Sequence, residues 1–528
     1  MPRLSAHRIW AGSGFRGLSR AAVLSLGVAG PATAGGPADH PAVDGVLQDW
    51  SAVPVLATDP AGDSAGPIDL RSLRAQSRGT RLFIQFDVNT PLNLSSGPTG
   101  QTTLTMRVIR GARSITVDFR NRRAYLDGNS GTTVSWPSIG FSELPTTADT
   151  RFEMELDMAA IGAAVGESLQ IVFAGADSFT APAAFTLVDG AVIPGRRSAV
   201  RPDCATLRVV SFNTFFSGLA DAQRRSSFIR LIDSVDADVY CFQEEYDTTL
   251  AQVQSAIAEA DPLDDGATWS ILKVGELEIA SRFPLTGVTL GSAYQGAIVH
   301  QPGGVSTLVM NNHMKCCGYA GNSDDAQRVS QASAAVGNFN AFRAGNLGPA
   351  LQPFRNVPAV LVGDWNLVGS TTPLDLWLAS PGPSFTRAVV RHLIGDEGWT
   401  WSSPGGTGFW PGILDLGVYD ASRMRLLQSF SLNSAELNTD ELLALGLQGG
   451  DSLASDHLML VLDFQVGKSA DVNQDGAVNT LDLTQLLVSF GQAAPPDTAA
   501  AVSDINSDGT VNTADLVLLL ASFGRTCP

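Results

Sequence analysis

The sequence predicts a multidomain chain with three parts in a row: an antiparallel β-sandwich, a mixed α/β domain, and a tail of two like loop-and-helix units. Three observations predict it. Period-two apolar runs recur across residues 37–195, apolar strands alternate with helical stretches between Leu207 and Phe464, and residues 471–524 repeat themselves at a spacing of 33. A length of 528 residues agrees, because folding units average roughly 150 residues. Apolar residues at 44% and charged ones at 16% exclude a mostly disordered or coiled-coil chain.

Residues 1–34 carry Arg3, Arg8, Arg16 and Arg20 with no acid, then the apolar run Ala21 to Ala29, then Ala32-Thr33-Ala34. Basic, apolar, then small is the order of a cleaved export signal, so the mature chain is expected to be secreted. Removing that signal takes the net charge from -18 to about -22. Such acidity repels polyanions at long range and argues against a broad basic nucleic-acid surface, while a small metal-bearing cleft remains compatible with it. No later segment holds about 18 uninterrupted apolar residues, so no membrane span is expected. Cys204, Cys241, Cys316, Cys317 and Cys527 are too few for a disulfide scaffold, and their pairing cannot be read.

In the region 37–195, Leu82, Ile84, Phe86 and Val88 enclose Gln85 and Asp87, and Phe152, Met154, Leu156 and Met158 interleave with Glu153, Glu155 and Asp157. Period two predicts antiparallel strands with one buried face. The opening Val43-Asp44-Gly45-Val46-Leu47-Gln48-Asp49-Trp50 resembles the family 9-like carbohydrate-binding modules and related sandwich domains of secreted bacterial enzymes. That resemblance implies a polysaccharide partner. Trp50 and Trp136, the region's only tryptophans, are assigned to core packing rather than to a sugar platform. Pro194 to Pro202, with three arginines between two prolines and Gly195 at its start, reads as a linker.

The central domain, residues 205–466, is expected to place strands at Leu207 to Phe212, Asp238 to Phe242, Thr307 to Asn311, Ala359 to Val362 and Leu458 to Phe464, with helices at Ala222 to Val235 and Asp325 to Phe342. Asn213, Glu244, His313, Asp364 with Asn366, and Asp456 with His457 all fall at strand ends, where a sheet gathers them in one cleft. Singly, such residues are usually hydrogen-bonded structure.

Taken in order, Ser211-Phe212-Asn213, Gln243-Glu244, Ser281-Arg282-Phe283-Pro284, Asn312-His313-Met314, Gly363-Asp364-Trp365-Asn366, Ile413-Leu414-Asp415 and Ser455-Asp456-His457 resemble the endonuclease/exonuclease/phosphatase superfamily. It includes DNase I-like nucleases, apurinic endonucleases, inositol polyphosphate phosphatases and bacterial sphingomyelinases. The resemblance implies a four-layer α/β sandwich and hydrolysis of a phosphoester with Mg2+ or Mn2+. That chemistry needs charge neutralised on phosphoryl oxygens, an in-line nucleophile and help for the leaving oxygen. By the same resemblance Glu244 is the principal metal ligand, assisted by Asn213, with Asp456 close to the metal. Asp364 orients or deprotonates water and Asn366 holds a phosphate oxygen. Asp415 fixes the tautomer of His457, and His313 serves the leaving group, with Glu276 as a candidate to orient it.

A nucleic acid is the first substrate expectation, ahead of a phospholipid head group or a small phosphate ester. A non-catalytic, carbohydrate-associated binding protein is the alternative of another class. Glu245 reads as a solvated neighbour of Glu244, and Arg282 as either a phosphate contact or a strand-end ion pair. The adjacent Cys316-Cys317 lacks the spacing of a zinc site; a bridge from one of them to Cys204 or Cys241 stays open.

The tail, residues 469–528, offers oxygens at loop positions 1, 3, 5, 7, 9 and 12 around a glycine at 6, the pattern that wraps a Ca2+ ion. In the first copy these are Asp471, Asn473, Asp475, Ala477 through its carbonyl, Asn479 and Asp482; in the second they are Asp504, Asn506, Asp508, Thr510, Asn512 and Asp515. Position 12 is Asp rather than Glu, and no incoming helix is evident, while a following helix is. The duplication resembles a type I dockerin and implies two Ca2+ ions and docking onto a cohesin, with Thr480-Leu481 and Thr513-Ala514 at the partner-contacting positions.

Overall fold

The computed structural model describes residues 42–525 apart from 65, 96–102, 129–131, 190–196, 396, 474, 496–497 and 507. The expected export signal lies outside the described residues. Among them no helix is long and apolar enough to cross a membrane.

Residues 42–189 build two antiparallel sheets. One is ordered Val55–Thr58, Leu70–Arg78, Arg81–Leu92, Asp149–Asp157, Ser142–Leu144; the other Ala183–Thr186, Ser168–Ala174, Thr105–Arg110, Arg113–Asp118, Arg123–Leu126, Thr132–Val134. Leu82, Ile84, Phe86, Phe152, Met154 and Leu156 from the first sheet share one core with Met106, Val108, Ile171 and Phe173 from the second. Period two therefore picks out the residues that face this core.

The expectation of a solvated opposite face fails. Phe83, Gln85, Glu153 and Glu155 are buried as well, because the central domain covers that side. Val43, Trp50, Phe83 and Leu144 join one apolar cluster with Tyr294, Ile413 and Leu416. Polar groups sealed there must find partners: Glu153 accepts from the backbone N–H of Asp44 and Gly45 and from Trp50 Nε1, and Glu155 pairs with Arg81. Arg81 also donates to Glu397 across the boundary at 2.6 Å.

Reciprocally, Trp410 of the central domain enters the β core, edge-on to Trp136, Phe119 and Phe141, and donates from Nε1 to Glu143 Oε2 at 2.6 Å. Trp50 and Trp136 are both buried, in keeping with a packing role.

The central domain holds two six-stranded mixed sheets. The first is ordered Ser270–Val274, Leu277–Ser281, Val239–Gln243, Leu207–Asn213, Met459–Val466, Met424–Leu432; the second Leu285–Gly291, Tyr294–His300, Ser306–His313, Ala359–Asp364, Asp415–Asp420, Phe385–Arg387. Between them Val209, Val239, Ile279 and Leu462 meet Ala297, Val309, Val360 and Val362. Helices Arg225–Asp233 and Leu250–Ala260 cover the first sheet, and Ser323–Arg343 with Thr372–Leu378 the second.

In each sheet one strand pair is parallel: Leu207–Asn213 with Val239–Gln243, and Ser306–His313 with Ala359–Asp364. Parallel neighbours need a crossover, supplied by Arg225–Asp233 and by Ser323–Arg343. The ends of these four strands carry Asn213, Glu244, His313 and Asp364.

The expected linker is not free over its described part: Arg197 donates to the His392 carbonyl at 2.9 Å and Arg201 pairs with Asp238 at 2.6 Å. Cys204 is disulfide-bonded, while Cys241, Cys316 and Cys317 are free thiols. The bridge from Cys316 or Cys317 to Cys204 or Cys241 therefore does not form.

In the tail, helices Thr480–Ser489 and Thr513–Ala521 start at the same device. Asn479 and Asn512 cap them, with Asp482 and Asp515 closing the capping box. A short helix, Ala499–Ser503, lies between. Val478, Leu486, Val511 and Leu519 form a small core, whereas Leu487, Phe490, Leu520 and Phe523 remain exposed. Leu518 packs on the central domain, and Arg525 donates to the Asp203 carbonyl at 2.8 Å.

Candidate active site

Strand ends from both central sheets open into a cavity of about 580 Å³ lined by Glu244, Glu276, His313, Asp364, Asn366, Asp456 and His457. Asn213 lies beneath it, wholly buried, and bridges two carboxylates: its Nδ2 donates to Glu244 Oε1 and to Asp364 Oδ2, each at 3.1 Å. Its Oδ1 accepts from the Phe215 N–H at 3.0 Å.

Glu244 is held by backbone. Its Oε2 accepts from the Phe216 N–H at 3.0 Å, and its own N–H donates to Glu276 Oε2 at 2.8 Å. Glu244 has φ 64°, Phe215, Phe216 and Ser217 have φ of 53°, 53° and 57°, and Asn366 has φ 47°. Side-chain-bearing residues rarely enter this left-handed region, and where they cluster the surrounding structure compels it, commonly at functional sites.

Asp364 Oδ2 stands between two imidazoles, 3.6 Å from His313 Nε2 and 3.7 Å from His457 Nε2. It also accepts from Asn366 Nδ2 at 3.0 Å, while Oδ1 takes the Asn366 N–H at 2.9 Å. His457 Nδ1 donates to Asp415 Oδ2 at 2.8 Å, and His313 Nδ1 to Glu276 Oε1 at 3.1 Å. In each case a carboxylate fixes the tautomer and aims Nε2 into the cavity.

Burial pushes the Asp364 carboxyl up to about 6, against the pull of His457 and His313. For His457 burial acts downward, but the Asp415 and Asp364 carboxylates outweigh it and raise the imidazole to about 10. For His313 burial is again outweighed, by the Glu276 hydrogen bond and the charges of Asp364 and Glu244, giving about 9.

Asp456 Oδ2 accepts from Trp401 Nε1 at 3.0 Å, while its Oδ1 is buried with no hydrogen-bond partner. An orphaned carboxylate oxygen sharing a wall with Glu244 fits a hard divalent cation, which takes oxygen ligands.

The structure thus gathers Asn213, Glu244, His313, Asp364, Asn366, Asp415, Asp456 and His457 at one place, and sets Glu276 on His313. Two side readings change. Glu245 is buried, accepting from Thr214 Oγ1 at 2.5 Å, the Leu219 N–H at 3.1 Å and Thr248 Oγ1, because the chain reverses at Glu244 and turns its neighbour inward. Arg282 pairs with Asp236, Asp238 and Asp261 and does not line the cavity.

Sequence reasoning missed the wall between Thr400 and Gly412. Thr400 Oγ1 accepts from the Asp415 N–H at 2.9 Å, and Trp401, Phe409 and Trp410 line the cavity, joined by Ser95 and Thr146 of the β-rich region. Only the density of tryptophan there, Trp399, Trp401 and Trp410, was a signal.

Asp471, Asp475 and Asp482 each offer an oxygen within 4.8 Å of the others, a donor set that fits Ca2+. Asp504 and Asp515 repeat the backbone contacts of Asp471 and Asp482: their carboxylates accept from Asp508, Gly509, Asn506 and Asn512 N–H groups. Thr480, Leu481 and Thr513 are exposed and Ala514 half-buried.

Residues 210–457 match the model of the endonuclease/exonuclease/phosphatase family, and residues 469–523 that of the dockerin type I domain. No curated protein matches the chain. Among solved structures, the human Nocturnin catalytic domain with bound sulfate aligns at 16% identity and TM-score 0.35, over 52% of this chain and 100% of that one. The 2',3'-cyclic phosphatase ANGEL2 aligns at 14% and 0.33, over 49% and 94%, and an AP endonuclease from Archaeoglobus fulgidus at 14% and 0.30, over 49% and 100%.

Proposed function

Since this chain carries an endonuclease/exonuclease/phosphatase domain followed by a type I dockerin, we propose that it is an exported, divalent-metal-dependent phosphodiesterase acting on nucleic acid. One observation carries the reading: Asp364 Oδ2 lies 3.6 and 3.7 Å from two imidazoles, each locked by its own carboxylate, beside Glu244 and the orphaned oxygen of Asp456. Glu244 and Asp456 would hold Mg2+ or Mn2+, with Asn213 fixing the Glu244 carboxylate. When bound, the cation neutralises charge on the phosphoryl oxygens.

The chain's own residues do the rest. Asp364 orients the attacking water and takes its proton, and Asn366 steadies a phosphate oxygen. His457, held by Asp415, places positive charge on the phosphate. His313, held by Glu276, faces the leaving oxygen from the other side of Asp364 and gives it a proton.

The strongly acidic composition disfavours tight duplex binding. Export rests on the basic, apolar, small-residue order of residues 1–34, and the tail would bind two Ca2+ ions and a cohesin through Thr480-Leu481 and Thr513-Ala514. The buried Trp50 and Trp136 give no support to sugar stacking by the β-rich region.

A substrate panel in Mg2+ tests the reading: single-stranded and plasmid DNA, glycerophosphodiesters, sphingomyelin and phosphomonoesters. Fastest turnover of single-stranded DNA is expected. Turnover of phosphomonoesters or sphingomyelin alone would replace nucleic acid as substrate, and turnover of none of them would favour the binding-protein alternative.

A further inference from the structure

Cys316 and Cys317 are exposed on the wall of the catalytic cavity, three and four residues beyond His313, and phosphoester hydrolysis gives them no task. Their Sγ atoms stand 2.8 Å apart. The dipeptide is held in this arrangement. Cys317 adopts φ 72° and is followed by Gly318 at 81°. The buried Arg328, set on helix Ser323–Arg343, donates from Nη1 to the carbonyls of Lys315 at 2.9 Å and Cys317 at 2.6 Å, so it clamps the pair from both sides. Lys315 Nζ lies 3.6 Å from Cys316 Sγ. Both sulfurs are exposed, in contrast to the buried Cys241.

We propose that Cys316 and Cys317 are a modification site on the cavity wall, a dithiol that closes reversibly to a disulfide by exchange with a low-molecular-weight disulfide. Cys316 Sγ, as thiolate, attacks one sulfur of that co-reactant, forming a mixed disulfide and expelling one thiolate. Cys317 then gives its proton to water and attacks Cys316 Sγ, expelling the second. The pair loses two electrons and the co-reactant leaves as two thiols. Adjacent Cα atoms are about 3.8 Å apart, short of the roughly 4.4–6.8 Å that relaxed bridges span. A bridge between neighbours is therefore readily reduced, and belongs with reversible rather than structural disulfides.

The native full-length chain is incubated with oxidised glutathione, residual thiols are alkylated, and the tryptic peptide Cys316–Arg328 is weighed. The expected product lacks two hydrogens, takes up no alkylating agent, and regains both reactive thiols after dithiothreitol. Cys316→Ser and Cys317→Ser should each stop at a single glutathione adduct. Two thiols still alkylated in the wild type, or a stable glutathione adduct on it, would overturn the proposal whatever the variants do.

Discussion

Glu143 shows what burial costs a single carboxyl. It is wholly enclosed in the β-rich region, and burial pushes it up to about 8, against the Trp410 hydrogen bond that lowers it. The folded chain therefore keeps a proton that the unfolded chain gives up near 4.5. The stability this contributes is complete below that value and is lost as pH rises through about 8, at no more than about 1.4 kcal/mol per pH unit. Glu155, also raised to about 8, acts in the same direction. Denaturant unfolding followed across this window should show stability falling with pH, and Glu143→Gln, which still offers Trp410 an acceptor, should flatten the fall. An unchanged slope would contradict the assignment.

At the cavity, His457→Gln should lower turnover by about 10²–10⁴-fold and also lower the unfolding midpoint, because the buried Asp415 and Asp364 carboxylates lose the cation that faces them. The adjacent acids Glu244 and Glu245 mark how far single residues were legible. Both follow the same strand, Val239–Gln243, and the turn at Glu244, with φ 64°, decides which enters the cavity and which enters the core. Spacing carries no trace of that turn.

Among the elements, strand Ala359–Asp364 reaches the site only because Gly363 lets it approach its neighbour. A Cβ there would lie 2.1 Å from the Asn312 carbonyl, at a φ of 148°. Gly363→Ala should displace Asp364 and cut turnover more than it cuts stability, read from kcat and thermal unfolding side by side. The loop Trp399 to Gly412 couples the site to the β core through Trp410. Trp410→Ala should cost about 3–5 kcal/mol of stability and also weaken activity, since Trp401 and Phe409 share that loop and line the cavity. The five strands and two helices expected in the central domain stand within a few residues of their bounds because apolar periodicity reports them directly, whereas others, such as Tyr294–His300, Met424–Leu432 and helix Leu250–Ala260, were not picked out. Nor was the loop, because its tryptophans pack against residues some 270 positions earlier in the chain, such as Trp136 and Glu143.

Over the whole molecule, composition and repeat length marked the successive parts, but not how they bury one another. A period-two strand reads the same whether its second face meets water or another domain, and here Phe83, Glu153 and Glu155 meet the central domain. Residues 197–528 expressed alone should therefore expose the cluster around Tyr294 and Ile413, and lose solubility and turnover together. Chelating Ca2+ with EGTA should reduce helical circular dichroism from the tail while hydrolysis in Mg2+ continues, because the Asp471 and Asp504 loops lie apart from the cavity. The phosphoesterase centre proposed above would need a cation at Glu244. It is tested most directly by titrating Mn2+ into EDTA-stripped protein and following hydrolysis of bis-p-nitrophenyl phosphate. Wild type should be silent without metal and recover to saturation, with Glu244→Gln recovering little; turnover indifferent to EDTA, or equal in the variant, would contradict the account.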